Sequence, residues 1–312
     1  MKETAVGRFA PSPSGRLHLG NLFAALLAWL DVRSAGGRLV LRIEDLDRER
    51  CSREKAAQLC ADLRWLGLDW DEGGLAPEYC QSCREEYYQA AFDKLAGLGL
   101  VYPCFCSRAE RLAYNVAAAP HLGEERRERH CPCRDMPKEK RRRLIAEGRR
   151  PAWRVRVPDL EVAIMDGNLG LYRENLAADC GDFIIRRSDG LFAYQLAVVA
   201  DDGAMGVSRV VRGRDLLSSA PRQRWLHTVL GQRSPEFWHV PLLLAADGKR
   251  LAKRDAALAM DSLRERWRPE QLVGGLAWLA GLLAEPVSCR PEELINGFSW
   301  DKVAKADIKL PV

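Results

Sequence analysis

Residues 7–21 read GRFAPSPSGRLHLGN, which compresses a strand end, a proline-stiffened turn and a helix start into one short stretch. A strand ending near Ala10 and a helix starting near Gly20 would leave free backbone N–H groups facing a concavity at the C-terminal edge of a parallel sheet. Gly15 and Gly20 carry no side chain to block a ligand, and His18 and Asn21 can donate hydrogen bonds to phosphate oxygens. The chemistry expected there is that of a nucleotide site. An ordinary strand–loop–helix turn is the competing explanation of a lone glycine pair.

Sulfur marks a second place where chemistry is encoded. CFC at 104–106 and HCPC at 130–133 bracket a loop, and two close cysteine pairs so separated suit a tetrahedral structural zinc on Cys104, Cys106, Cys131 and Cys133. Such a metal would fix an insertion too small for its own core. His130 and His121 are reserve ligands, and CQSC at 80–83 supplies a competing pair, Cys80 and Cys83. Cys51, Cys60, Cys180 and Cys289 read as structural.

The elements that position these groups follow from periodicity. LFAALLAWLDVRSAGG has helical apolar spacing and ends at Gly36 and Gly37, which predicts a helix with a glycine C-cap. RLVLRIEDLD reads as a strand followed by a carboxylate cluster, and CSREKAAQLCADLRWLGLDW as a helix capped by Ser52. Alternating strands and helices predict an α/β fold with a largely parallel sheet. Periodicity fails from Pro103 to about Arg150, which marks an insertion. Strands resume at AWRVRV and DFIIRR, and the β-branched runs of LFAYQLAVVADDGAMGVSRVVRGRDLL are expected to return the chain to the sheet. From Asp255 onward the pattern is helical.

Composition sets the frame. With 312 residues, 47% hydrophobic and 29% charged, the chain is an ordinary soluble protein with room for one large domain or two smaller ones. No run approaches the ~18 apolar residues of a membrane span, and MKETAVGRFAP lacks the apolar core of a secretory signal, so a cytoplasmic protein without membrane contact is expected. In such a chain the clustered cysteines are metal ligands or buried thiols. The net charge of +5 is local: residues 124–150 hold 11 Lys and Arg against 6 Asp and Glu, and 11 − 6 accounts for all of it. That excess is either a solvated helix face or the footprint of a polyanion.

RFAPSPSGRLHLGN resembles the first signature of class I aminoacyl-tRNA synthetases in its glutamyl and glutaminyl version, with Asn21 where the pattern has its second histidine. RIEDLD at 42–47, YQLAVVADD at 194–202 and VVRGRDLL at 210–217 resemble successive blocks of that family, and GKRLAKRD at 248–255 looks like a degenerate second signature. The resemblance implies a Rossmann-type catalytic domain in two halves, 1–102 and 151–254. A zinc-bearing, acceptor-contacting insertion at 103–150 and a short helical C-terminal region at 255–312 complete the expected organisation. It implies His18 and Lys253 as catalytic residues, with His18, Gly20, Asn21 and Lys253 binding ATP and its Mg2+. It assigns L-glutamate to Arg8, Ala10, Ser12, Glu44, Tyr194 and Arg212. The chemistry agrees: arginine forks suit two carboxylates, and Glu44 suits the ammonium. Tyr114 enters as a further possible zinc ligand because related insertions use a tyrosine.

Only 58 residues remain from Asp255, the last residue of the second signature, so the chain resembles the shortened glutamyl-queuosine branch of that family. This implies activation of glutamate without tRNA and transfer to the queuosine base at the wobble position of tRNA(Asp), by a monomer. Two alternatives stand beside it: an enzyme charging a tRNA 3′ end with recognition supplied by another chain, and a non-catalytic tRNA-binding module.

Overall fold

In the computed structural model, residues 4–107, 109–110, 131–245, 247–248 and 258–310 are described. Strand β1 (Val6–Phe9) leads through the proline turn into helix α1 (Leu19–Ser34), and β2 (Arg38–Leu41) and α2 (Arg53–Trp65) repeat the pattern. Ser52 caps α2 by accepting from Lys55 N at 3.3 Å. Gly36 follows α1 at φ +64°, with Gly36 N on Arg33 O and Gly37 N on Val32 O. Those paired bonds satisfy the last carbonyls of α1, and the left-handed turn they need is cheap only for glycine.

After the short β3 (Glu72–Gly73) and α3 (Glu85–Gly97), the chain forms β4 (Val101–Cys104), α4 (Lys138–Ala146) and β5 (Ala152–Val155). A hairpin of β6 (Glu161–Asp166) and β7 (Gly170–Asn175) leads to β8 (Phe183–Arg186), α5 (Tyr194–Ala204) and β9 (Arg209–Gly213). The remainder is α6 (Ser219–Val229), β10 (Glu236–Val240), β11 (Leu243–Leu244), α7 (Met260–Arg266), α8 (Pro269–Ala280), 3-10 turns and β12 (Ile308–Lys309).

The main sheet runs β3-β2-β1-β9-β10-β6-β7, parallel throughout except at the β6–β7 edge. This α/β sheet bears out the expected fold class. AWRVRV and DFIIRR form strands as expected, but β5 and β8 join β4 in a separate antiparallel sheet. One expectation about the strands fails in part. YQLAVVADDGA is the helix α5, and only β9 returns to the parallel sheet. Local β propensity marks a strand without naming its partner.

α1 is buried on nearly all sides. The sheet covers one face, and Gly7 admits Val32 so closely that a Cβ there would lie 2.1 Å from Val32 Cγ2. Met260, Leu263, Leu272, Leu276 and Ala280 from α7 and α8 share one apolar core with Leu22, Leu26 and Leu30. The C-terminal region is thereby part of the main packing unit.

Candidate functional site

The C-terminal ends of β1, β2, β9 and β10 open into a cavity of about 390 Å³. All nine of the described nucleotide- and amino-acid-site residues named from sequence line it: Arg8, Ala10, Ser12, His18, Gly20, Asn21, Glu44, Tyr194 and Arg212. This is the crevice beyond the strand ends where open α/β sheets bind ligands. Lys253 lies outside the described residues, as do Tyr114, His121 and His130.

The helix start is built differently from expectation. The amides of Gly20 and Asn21 do not stand free: His18 Nδ1 accepts from Gly20 N at 3.1 Å, and Asn21 N bonds His18 O at 2.8 Å. Asn21 Oδ1 in turn accepts from His18 N at 3.1 Å, closing a capping box. What the helix presents to the cavity is therefore side chains. With Nδ1 accepting, the proton of the neutral His18 ring sits on Nε2, and Asn21 keeps its amide NH2 as donor. Gly20 makes this possible, because a Cβ there would crowd the His18 ring at 3.1 Å. Past the second-signature segment, Ala259 pairs with His18 and Met260 N bonds Leu17 O at 2.9 Å, so the chain re-emerges beside the first signature.

Charge inside the site is paired with care. Arg42 is fully buried; its Nη1 donates to Asp202 Oδ1 at 2.6 Å and its Nη2 to Glu44 Oε1 at 3.2 Å, with Asp201 at 3.7 Å. Burial works against the Arg42 charge, but Asp202, Asp201 and Glu44 outweigh it and raise its pKa. Glu44 is pushed above the ordinary carboxylate range by burial, with Arg42 and Arg8 pulling it back. Arg8 donates from Nη1 to Val211 O at 3.2 Å and lies 3.8 Å from Asp202. Burial lowers its pKa, Asp202 opposes, and Arg42 and Arg212 add to the lowering. Tyr194, deeply buried, has its phenol pushed up by the same desolvation.

Arg212 is held by neutral groups alone. Its Nε donates to His239 Nε2 at 3.0 Å, Nη1 to Gln223 Oε1 at 2.7 Å and Nη2 to Leu216 O at 3.2 Å. His239 Nδ1 faces Asp166 Oδ2 at 2.6 Å, and Gln223 Nε2 donates to Gln195 Oε1 at 2.9 Å. Since His239 Nε2 must accept from Arg212, the ring is neutral with its proton on Nδ1, directed at Asp166. Burial lowers the His239 pKa, with Asp166 opposing and Arg212 assisting. The guanidinium is thus immobilised at three nitrogens without being neutralised, which leaves its charge for an incoming carboxylate.

These supports were not read from the sequence. Asp201 and Asp202 were visible as an acid pair ending an apolar run, and Arg42 as the first residue of RIEDLD. Nothing local marked Asp166, Gln223 or His239.

A second cavity, of about 280 Å³, shares Ser12, Glu44 and Tyr194 with the first and is walled further by Asp47, Arg50 and Gln81. Cys51 also lines it, although the sequence marked that thiol as structural.

The sulfur cluster forms at the end of β4. The Sγ atoms of Cys104, Cys106, Cys131 and Cys133 all lie within 4.8 Å of one another, with 104–131 at 3.5 Å, 106–131 at 3.6 Å and 106–133 at 3.7 Å. Four thiolates about 2.3 Å from a tetrahedral zinc would stand about 3.8 Å apart, so the set fits that ion. Phe105 N donates to Cys133 Sγ at 3.4 Å, a bond that stabilises a thiolate. Among the described residues this is the one cluster of three or more metal-capable groups, and Cys80 and Cys83 take no part. All ten cysteines are free of disulfides. No described helix is long and apolar enough to cross a membrane.

The family described as tRNA synthetases class I (E and Q), catalytic domain, matches residues 4–306. Glutamyl-Q tRNA(Asp) synthetase of Symbiobacterium thermophilum is 50% identical over 311 residues, covering 98% of this chain and 95% of the relative. The protein of the same name from Nitratidesulfovibrio vulgaris is 50% identical over 284 residues, 89% and 87% of the two chains. A solved glutamate tRNA ligase from Elizabethkingia meningosepticum, in complex with its amino acid, superposes with a TM-score of 0.82 at 28% identity, covering 98% of this chain and 67% of that one.

Proposed function

Because the chain belongs to the class I tRNA synthetase family of the E and Q branch, we propose that it activates L-glutamate with ATP without tRNA and passes the glutamyl group to queuosine in tRNA(Asp). The observation that carries glutamate is the charge balance of Arg212: a fixed guanidinium with neutral partners, beside Arg8 and Glu44 in one cavity. Arg8 and Arg212 take the two carboxylates, Glu44 takes the ammonium, and Ala10, Ser12 and Tyr194 shape the wall.

In the first step a glutamate α-carboxylate oxygen attacks the α-phosphorus of ATP, which enters as its magnesium complex, and the bond to pyrophosphate breaks. Charge builds on the phosphate oxygens, and donors fixed in advance lower that barrier most. His18 Nε2–H and the Asn21 amide are such donors, and Lys253 is the cation we assign to the leaving phosphates. The anchoring of Ala259 on His18 supports that assignment. In the second step a ring hydroxyl of queuosine attacks the acyl carbon, AMP leaves with the bonding pair, and the hydroxyl proton is released as the ester forms. The second cavity, which shares three walls with the first, gives the acceptor its approach.

The four-cysteine cluster would hold zinc, which supplies a rigid crosslink to a module of little core. Helix α4 buries no residue, so the exposed Arg142 can meet RNA phosphates, as can Arg143, which pairs with the exposed Glu147 at 3.4 Å. Arg141 is drawn inward, donating to Arg134 O at 3.1 Å. Queuosine as acceptor rests on the 50% identity to enzymes named for that reaction.

The test is mass analysis of tRNA(Asp) nucleosides after incubation with enzyme, ATP and glutamate, beside ATP–pyrophosphate exchange without tRNA. Glutamate on queuosine with tRNA-free exchange is the expected result. Label on the 3′-terminal adenosine identifies a conventional charging enzyme, and no exchange at all a binding module.

A further inference from the structure

A third cavity, of about 390 Å³, opens where the end of α4 meets the small sheet. Arg149, Arg150, Arg186 and Arg187 line it with Trp153, and none of its lining residues is acidic. The four guanidinium groups have different duties. Arg186 is used internally, donating from Nε to Gly190 O at 3.0 Å and lying 4.9 Å over the Phe192 ring. Arg149 donates to Phe105 O at 2.7 Å, which ties this wall to the loop between Cys104 and Cys106. Arg187 pairs with Asp189. Arg150 is exposed, and no hydrogen bond or ion pair holds it among the described residues.

The position of the cavity narrows its ligand. Arg187 also lines the second cavity, which in turn shares Ser12, Glu44 and Tyr194 with the first, so the three stand in a connected series from the glutamate site to α4. A chain of phosphates passing the acceptor cavity would meet this wall next. Trp153 packs edge-on against Phe92, at 5.6 Å and 87°, and remains partly exposed where it lines the cavity. Arginine forks beside an aromatic surface bind a nucleotide by phosphate and base together.

We propose that this cavity holds the nucleotide adjacent to the acceptor in the anticodon loop, its phosphate on Arg150 and its base against Trp153. This rests on the acceptor reading given above. The nucleotide is a register pin: it places the acceptor hydroxyl over the glutamyl carbonyl and plays no part in forming the adenylate.

The test compares wild-type enzyme with Arg150→Ala, Trp153→Leu and Trp153→Phe, using full tRNA(Asp) carrying queuosine. Leucine keeps the apolar bulk against Phe92 and removes the aromatic face, and phenylalanine restores such a face. Adenylate formation without tRNA and the thermal midpoint should stay at wild-type values in all three. KM for tRNA should rise about tenfold in Arg150→Ala and Trp153→Leu and recover in Trp153→Phe. Arg150→Ala alone should reduce the slope of log affinity against log salt, by about 1 for one lost phosphate contact. Unchanged KM and salt slope in Arg150→Ala and Trp153→Leu, with wild-type enzyme still glutamylating queuosine, would overturn the pocket and leave the acceptor reading intact. Wild-type label on the 3′-terminal adenosine would overturn both.

Discussion

The cavity proposed for glutamate and the four-cysteine module both gather reactive groups into a small space, yet they are held by opposite means. In the cavity the groups come from far apart in the chain: Arg42 meets Asp202 and Arg8 meets Asp202 only because β1, β2 and α5 converge at one sheet edge. In the module, Cys104 and Cys106 are near neighbours, as are Cys131 and Cys133, and the described residues around them supply only a small apolar cluster. The first site is organised by the fold, and its charged groups depend on partners from distant segments. The second organises its own surroundings through whatever joins the four sulfurs. Damage to either should therefore leave the other nearly intact.

The largest effect is expected at Arg212. Arg212→Ala removes the buried guanidinium proposed to meet the substrate carboxylate, a charge-assisted contact worth about 3–5 kcal/mol. kcat/KM for glutamate in pyrophosphate exchange should fall by about 1,000-fold, with the metal content of the protein unchanged. Arg212→Lys should recover little, because an ammonium cannot reach His239, Gln223 and Leu216 O from one plane. Substantial activity in either variant would show that Arg8 alone suffices and would undo the argument from charge balance.

Metal removal tests the contrast from the other side. The purified protein should carry about one zinc per chain, and Cys104→Ser should lose it. Glutamyl-adenylate formation should stay within about twofold of wild type while transfer to tRNA drops, because only the module would loosen. Elemental analysis that finds no metal in protein prepared without chelator rules out zinc. Loss of adenylate formation along with the metal would mean that the two regions are not separately held.

The smallest effect sharpens the cavity itself. His239→Leu leaves Arg212 Nε and Asp166 without their partner, a loss of about 1–2 kcal/mol, so KM for glutamate should rise about 5- to 30-fold. His239→Gln, whose amide oxygen can still accept from Arg212, should retain most of the affinity. The pH dependence separates this from simple damage. Protonated His239 would aim an N–H at Arg212 Nε–H, and burial holds its pKa below 6.5, so wild-type KM should be level through that value and rise below it. His239→Gln should lose that rise and keep the one from Glu44, whose ionisation burial has shifted upward from 4.5. Stability follows the same sign. The unfolded chain takes up protons at the ordinary histidine value before the folded His239 does, so stability should decline as pH falls below about 6.5.

What could be read along the chain were features whose cause lies within a few residues. The Ser52 cap, the glycine turn after α1, the close cysteine pairs and each signature block taken singly belong to this class, whereas the meeting of the described blocks in one cavity is the work of the fold. The helix-start expectation shows the limit even there. The pattern HLGN was legible, but its capping box, which uses His18 and Asn21 to satisfy the amides once expected to face a ligand, depends on a ring rotation that Gly20 permits. A side chain's choice between its own backbone and a ligand is not written in its spacing.

The sequence by itself determined the helix or strand character of α1, β2, α2, β5 and β8, where the metal-capable sulfurs lie, and which residue types suit two carboxylates and an ammonium. Only the tertiary structure decided which strands share a sheet, sending β5 and β8 to β4 while β9 returned to β1. It alone decided that Arg212 would be held by His239 and Gln223 and stay uncompensated, whereas Arg42 would be surrounded by carboxylates. The reason is physical: secondary structure and chelation depend on short-range geometry, but the charge state and freedom of a buried group depend on every neighbour that desolvates it. Those neighbours are fixed only when distant elements close over one another.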